Sequence, residues 1–250
     1  MWRYLQDLIR YGALGLLAGI LLKQGSIAFL GFVLIATSVG LFYSSGYTKA
    51  SGNHIFKTLR NNGEFGEFIT YCEIRNLGFS SIFTNVYLPS LDGNTTEVDL
   101  IALHKTGIYV FEVKNYSGWI YGDEFQKNWT ATLNRNTKNQ FYNPIRQNYG
   151  HIESLKTFIK NTNEDTFHSY IVFSVRCKIQ KLKKKSSDDI ICLTKQEFLA
   201  TTVKKHLSTR KEVLMEQEIY DIERIIEAQC RQSAEFKRNH VENLKRKFDK

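Results

Sequence analysis

Proline is nearly absent from this 250-residue chain: two occur, so no proline-rich linker interrupts it. Cysteine is sparse as well. Cys72, Cys177, Cys192 and Cys230 form no CxxC pair, and no histidine lies at the spacing of a finger, which removes a zinc site from consideration. Scattered single thiols suit a reducing compartment. The six histidines include no pair at helical ligand spacing within the sequence pattern of a metalloprotease. No GxSxG, P-loop or GxGxxG occurs, so serine hydrolase, nucleotide-binding and dehydrogenase chemistries have no support. Global disorder is excluded by a 42% hydrophobic and 24% charged composition, and the length suits one ordinary domain plus extensions.

What is present is unevenly distributed. The net charge is +9, but residues 61–175 carry nine basic and twelve acidic side chains. The basicity sits beside the apolar N-terminus, in the run RCKIQKLKKK (176–185), read as a loop, and in the tail 231–250. Such clusters suit nucleic acid, anionic lipid or plain solvation.

The N-terminus holds two apolar runs, GALGLLAGILL (12–22) and IAFLGFVLIATSVGLFY (27–43), separated by KQGS. The second is 17 residues without a charge, at the short end of bilayer-spanning length. A helical hairpin over 4–22 and 27–43 is one reading; a single span at 27–43 after an interfacial helix is the other. Arg3, Arg10, Lys49, Lys57 and Arg60 lie outside the runs, with only Lys23 at the turn. The positive-inside rule then places residues 50–250 in the cytoplasm, tied to the lipid bilayer of the cell membrane through residues 1–48. No small-x-small cleavage site follows the first run, which argues against a removed signal peptide.

Further along, apolar residues at three- and four-residue spacing predict a helix from about Glu64 to Leu77, with Gly78 as its stop. Strands are expected at 81–89, 97–104, 107–114, 169–175 and 190–193, with a further short one in GWIYG. Asn143 as N-cap and Pro144 in the first turn open a helix over NPIRQNYGHIESLKTFIK; two more helices are expected at 195–207 and 211–232. Strands in the middle and helices around them indicate an α/β domain with a mixed sheet.

One stretch, TEVDLIALHKTGIYVFEVKNYSG (96–118), carries charges inside strands apolar enough for a core. In GIYVFEVK, Ile108, Val110, Glu112 and Lys114 share one face. If Lys105-Thr106 is a two-residue turn, His104 pairs with Gly107 and Asp99 stands opposite Glu112; a three-residue turn would move it to Val113. Two adjacent carboxylates repel, so one binds a proton or both share a cation. Hard ions such as Mg²⁺ take carboxylate oxygens, and a neighbouring lysine can hold a water or offset developing negative charge. The bland counterpart is an ordinary Glu-Lys ladder at a strand end. His104 reads as a turn residue and His151 as a helix-surface residue.

Taken with GEFGE (63–67), NVYLP (85–89), EVDLIAL (97–103), GIYVFEVKNYSGWIYG (107–122), Trp129 and NPIRQN (143–148), the stretch resembles the NERD (nuclease-related domain) branch of the PD-(D/E)XK nucleases over about residues 60–175. The resemblance implies a restriction-endonuclease-like αβββαβ core and a nuclease dependent on Mg²⁺ or Mn²⁺, acting on nucleic acid, DNA sooner than RNA. It implies Asp99, Glu112 and Glu67 as metal ligands, Lys114 as the catalytic lysine and Gln147 as an active-site glutamine. Glu64 is then a solvated or capping acid, Asn143 mainly an N-cap, and Asn115 and Tyr116 either touch substrate or end the strand. Val98 replaces the proline of the superfamily pattern. The alternative function is a non-catalytic membrane module that binds nucleic acid or protein on the same fold.

Overall fold

The computed structural model describes residues 4–90, 94–133, 137–161, 163–183 and 191–230. It divides into two units, residues 1–72 and 73–250.

The first unit is helical: α1 (Leu5–Leu21), α2 (Gly25–Ser44), α3 (Tyr47–Ser51), α4 (Ile55–Arg60) and α5 (Asn62–Ile74), the last two residues of which fall in the second unit. The first two helices turn on Leu22–Gln24 and lie against each other closely enough that a Cβ on Gly31 would come within 2.6 Å of the Gly12 carbonyl oxygen. Outward-facing Leu14, Leu17, Ile20, Phe29, Leu30 and Phe32 are each more than half exposed. With 20 residues and a mean hydropathy of 2.1, α2 has the length and composition of a membrane anchor or a signal sequence. Below the hairpin, Phe42, Tyr47, Ile55, Phe65, Phe68 and Ile69 form a buried core, with Phe42 and Phe68 ring centroids 4.9 Å apart. The start of α5 is set by Asn61, whose Oδ1 accepts from the Gly63 and Glu64 amides and so caps the helix two residues before the expected start.

The second unit holds β1 (Ser81–Pro89), β2 (Thr95–His104), β3 (Gly107–Lys114), β4 (Gly118–Asp123), β5 (Asn128–Thr132), β6 (Lys138–Tyr142), α6 (Pro144–Ile159), β7 (Phe167–Phe173), β8 (Cys177–Lys183), β9 (Ile191–Lys195), α7 (Gln196–Thr209) and α8 (Glu216–Cys230). The main sheet runs β1-β2-β3-β7-β9, antiparallel through β3 and parallel beyond it, a mixed sheet flanked by helices as the α/β reading requires. With α5, the chain order α5-β1-β2-β3-α6-β7 reproduces αβββαβ, with β4 to β6 inserted before α6. One face of the sheet packs on α6 and α8 through Val110, Ile152, Leu155, Ile222 and Ile226. Tyr109, Phe111 and Tyr170 line the other, where Tyr170 hydrogen-bonds His206 of α7.

A second sheet, β6-β5-β4-β8, packs its inner face on Ile145, Ile171 and Phe173 through Ile120, Trp129 and Phe141. It corrects the reading of the basic run as a loop: Cys177–Lys183 is a strand, parallel to β4. Cys177 is buried and Ile179 packs inward, whereas Lys178 and Gln180 face outward; a charge count hides that alternation. Residues 184 and 185, and the tail 231–250, lie outside the described residues. The last helix also starts later than expected, because the Val213 and Leu214 amides bond the Lys105 carbonyl and strap residues 211–215 across the β2–β3 turn.

Candidate active site

The site begins with a turn. His104 pairs with Gly107, so the β2–β3 connection is the two-residue turn Lys105-Thr106. Gly107 is required there: its φ is 132°, and a Cβ would meet the Thr166 carbonyl oxygen at 2.5 Å. The Thr106 hydroxyl, held by His104 Nδ1 at 2.8 Å and Tyr109 Oη at 2.8 Å, pins the turn, and His104 is the turn residue expected. Counting outward along this register brings Asp99 level with Glu112.

Backbone pairing stops one step earlier, at Leu100 and Phe111. There a side chain takes over: Asp99 Oδ2 accepts from the Val113 amide at 2.7 Å. The reason lies on β1. Asn85, level with Asp99, has φ of 53°, a left-handed backbone that is rare for a non-glycine residue and most easily tolerated by asparagine and aspartate. Across it the strands change faces. Phe83 packs in the same core cluster as Val86 and Leu88, and Ile101 and Leu103 in the same cluster as Val98, pairings that plain period-two strands forbid. Asp99 therefore sits at a switch point, flanked by ordered strand on both sides.

Glu112 is 1% exposed. Its Oε1 lies 2.6 Å from Lys114 Nζ and its Oε2 3.0 Å from His151 Nε2. Burial would raise the Glu112 carboxyl, but the Lys114 charge and the His151 hydrogen bond outweigh it and hold the group below its ordinary value. Burial would likewise lower Lys114; the Glu112 and Asp99 carboxylates overcome that and raise it. Both members of the pair are charged at neutral pH.

The fourth side chain comes from α6. Asn143 Oδ1 accepts from the Ile145 amide, its Nδ2 donates to the Glu124 and Gln126 carbonyls between β4 and β5, and Pro144 opens the helix, so Asn143 is the cap expected. Asn148, wholly buried, then ties α6 to the sheet by donating to the Val110 carbonyl at 3.0 Å and to Ser169 Oγ at 2.8 Å. That anchoring aims Gln147 at Lys114, whose Nζ donates to Gln147 Oε1 at 3.1 Å.

One turn on, at helical i,i+4 spacing, His151 enters the same cluster. This corrects the helix-surface reading: it is 3% exposed. A carboxylate only accepts, so Nε2 carries the proton shared with Glu112, and in the neutral ring Nδ1 accepts from Thr96 Oγ1 at 2.9 Å. The polar helical pattern around His151 concealed it; its spacing from Gln147 was the available signal.

The structure thus brings together Asp99, Glu112, Lys114 and Gln147. Glu67 lies half-buried on α5, in the first unit. Glu64, one turn earlier, is not the solvated or capping acid expected: its side chain is 13% exposed, ion-paired with Lys57 at 2.7 Å and bonded by Asn53, and Asn61 caps the helix. Of the residues after the lysine, Asn115 is gripped by Arg176 through its carbonyl and Oδ1, and Tyr116 packs on Phe141 at 4.4 Å. Among the described residues no group of three or more His, Cys, Asp or Glu side chains gathers around a point. Asp99 and Glu112 supply hard carboxylate oxygens of the kind that Mg²⁺ or Mn²⁺ takes.

Residues 62–174 match the family model of the nuclease-related domain, NERD, which points to a nuclease-like function. An uncharacterized protein of Bacillus anthracis is 33% identical over 128 residues, half of this chain and 59% of that relative, so the chain spans less than two thirds of the relative's length. No solved structure matches the chain significantly.

Proposed function

We propose that the chain is a membrane-anchored nuclease that hydrolyses phosphodiester bonds with Mg²⁺ or Mn²⁺ held by Asp99 and Glu112. The observation that carries this reading is the buried Lys114–Glu112 pair, braced by Gln147 and His151 and set beside Asp99. When bound, the ion polarises a phosphate and makes a water acidic. Lys114, kept cationic by its two carboxylate neighbours, acts as a positive charge, not as a base. Glu112 and Gln147 take two of its three N–H donors, and the third serves a phosphate oxygen or the attacking water. Gln147 fixes the ammonium's direction, and the α6 anchor at Asn148 fixes Gln147.

DNA is the favoured substrate on the resemblance. The apolar helix α2 serves as the anchor, and the basic flank after it, Lys49, Lys57 and Arg60, favours the cytoplasmic side for the nuclease unit. The test uses the full chain in mild detergent on supercoiled DNA, single strands and RNA. Cleavage with Mg²⁺ or Mn²⁺ is expected to vanish in EDTA and in Asp99→Ala, Glu112→Ala and Lys114→Ala; cleavage surviving all three substitutions sinks the assignment. Protease digestion of sealed spheroplasts that removed residues 50–250 would overturn the sidedness.

A further inference from the structure

The outer face of the second sheet carries two exposed aromatic rings, Trp119 and Tyr121. In the row formed by Lys178, Trp119 and Lys138, and the next formed by Gln180, Tyr121 and Gln140, a threonine of β5 completes each line across four strands. Trp119 is 45% exposed and Tyr121 36%, although Trp129 of the same sheet is wholly buried on the inner face. Neither row contains an acid. Flat rings, amides and lysines in adjacent rows are the three kinds of group that a nucleic-acid strand uses: ring faces for bases, amides for base edges, ammonium groups for phosphates.

We infer that this face is a stacking platform for single-stranded nucleic acid. The spacing selects the form. Trp119 and Tyr121, two residues apart on β4, stand about 6.7 Å apart along the strand. That is roughly twice the 3.4 Å step of a stacked strand, so each ring meets a base only when the strand is opened. Duplex bases stay stacked on each other and present no face to either ring. The platform also lies close to the candidate active site. Only Asn115–Ser117 separate Lys114 from β4, so the Gly118 and Lys114 Cα atoms lie within about 14 Å. Arg176 holds that link through Asn115, and the Gly118 amide bonds the Arg176 carbonyl. A strand laid on Trp119 thus lies within reach of Lys114. Its being substrate rests on the nuclease reading; its binding does not.

The experiment is equilibrium binding by the full chain in mild detergent and EDTA, where nothing is cut. The probes are a fluorescein-labelled oligothymidylate of about 15 nucleotides and its duplex with oligoadenylate. The single strand is expected to bind more tightly than the duplex and to shield Trp119 from acrylamide quenching. Trp119→Ala and Tyr121→Ala each weaken it by about ten-fold, the size of one lost base stack. Trp119→Phe keeps most of the affinity and shows that the face still folds. Unchanged affinity in both alanine variants overturns the platform, as does Trp119 shielded only by self-association of the chain, seen in sedimentation. A chain that cleaves duplex DNA with Mg²⁺ but binds no single strand refutes the platform and leaves the nuclease. Binding with the expected losses in a chain that cleaves nothing does the reverse.

Discussion

Lys114 Nζ lies 2.6 Å from Glu112 Oε1, two residues back on the same strand, and the pair is nearly cut off from water. Removing one partner leaves the other as an unmatched buried charge. Lys114→Met is therefore expected to destabilise the chain by about 3 kcal/mol, the usual cost of breaking such a pair. Activity should fall below one hundredth, by analogy with the loss of a transition-state charge donor. In the double variant Lys114→Met/Glu112→Gln much of the stability returns but none of the activity. Urea unfolding and a cleavage assay on the same preparations separate the two effects.

The opposed shifts of the pair predict a plateau in its stabilisation. Glu112 is held below its ordinary 4.5, so its contribution is present above that value and lost as pH falls through the folded-state value. Lys114 is raised above its ordinary 10.5, so its contribution is present below that value and lost as pH rises through the folded-state one. The melting-temperature gap between the parent chain and Glu112→Gln should stay level from about pH 5 to pH 10 and narrow on the acid side. The gap to Lys114→Met should narrow on the alkaline side, where Lys114 of the parent loses its proton, and also on the acid side, where the unmatched Glu112 of the variant gains one. A gap that peaks sharply near neutrality would show that another titrating group controls the pair.

His151 touches Glu112 and not the reacting bond, so it acts by holding Oε2. His151→Ala is expected to lower Mn²⁺ affinity by about ten- to one hundred-fold, as loss of a carboxylate's outer hydrogen bond does. His151→Gln, which keeps a donor, should recover part of it. Mn²⁺ binding followed by electron paramagnetic resonance reads this without turnover. Equal affinity in the alanine variant would reduce His151 to packing.

The turn residues and the period-two pattern made the hairpin legible in sequence: a two-residue Lys105-Thr106 link is enough to bring Asp99 level with Glu112. The cap at Asn143 and the proline after it made α6 legible, and with it the approach of Gln147. What was not legible depends on tertiary context. β5 and β6 are five residues each, mostly polar, with Trp129 and Phe141 as the principal anchors of their inner faces. His151 stands on a helix whose pattern is polar around it; only the fold shows that this side meets Glu112. The left-handed turn of Asn85 breaks the alternation on which strand reading depends, and nothing in SIFTNVYLP announces it.

That break leads to the most specific prediction. A left-handed residue inside a strand costs little for glycine, somewhat more for asparagine, and most for a β-branched side chain. Asn85 offsets part of its cost by donating from Nδ2 to Glu97 Oε1 at 3.2 Å, where Tyr87 Oη also bonds at 2.7 Å. Asn85→Gly keeps the backbone and loses that bond, so stability should change by under about 1 kcal/mol and activity by a few-fold. Asn85→Val favours ordinary strand geometry. It can keep the face switch at a strain of about 1–3 kcal/mol. Straightening instead would send Val86, Val98 and Leu88 out of the core and turn Asp99 away from the Val113 amide. Either way Asn85→Val should be clearly less stable than Asn85→Gly. If it straightens, the hydrogen-exchange protection of Val113 is lost together with metal-dependent cleavage. A valine variant as stable and as active as the glycine one would show that the switch of faces, and with it the placement of Asp99, is set elsewhere than at Asn85.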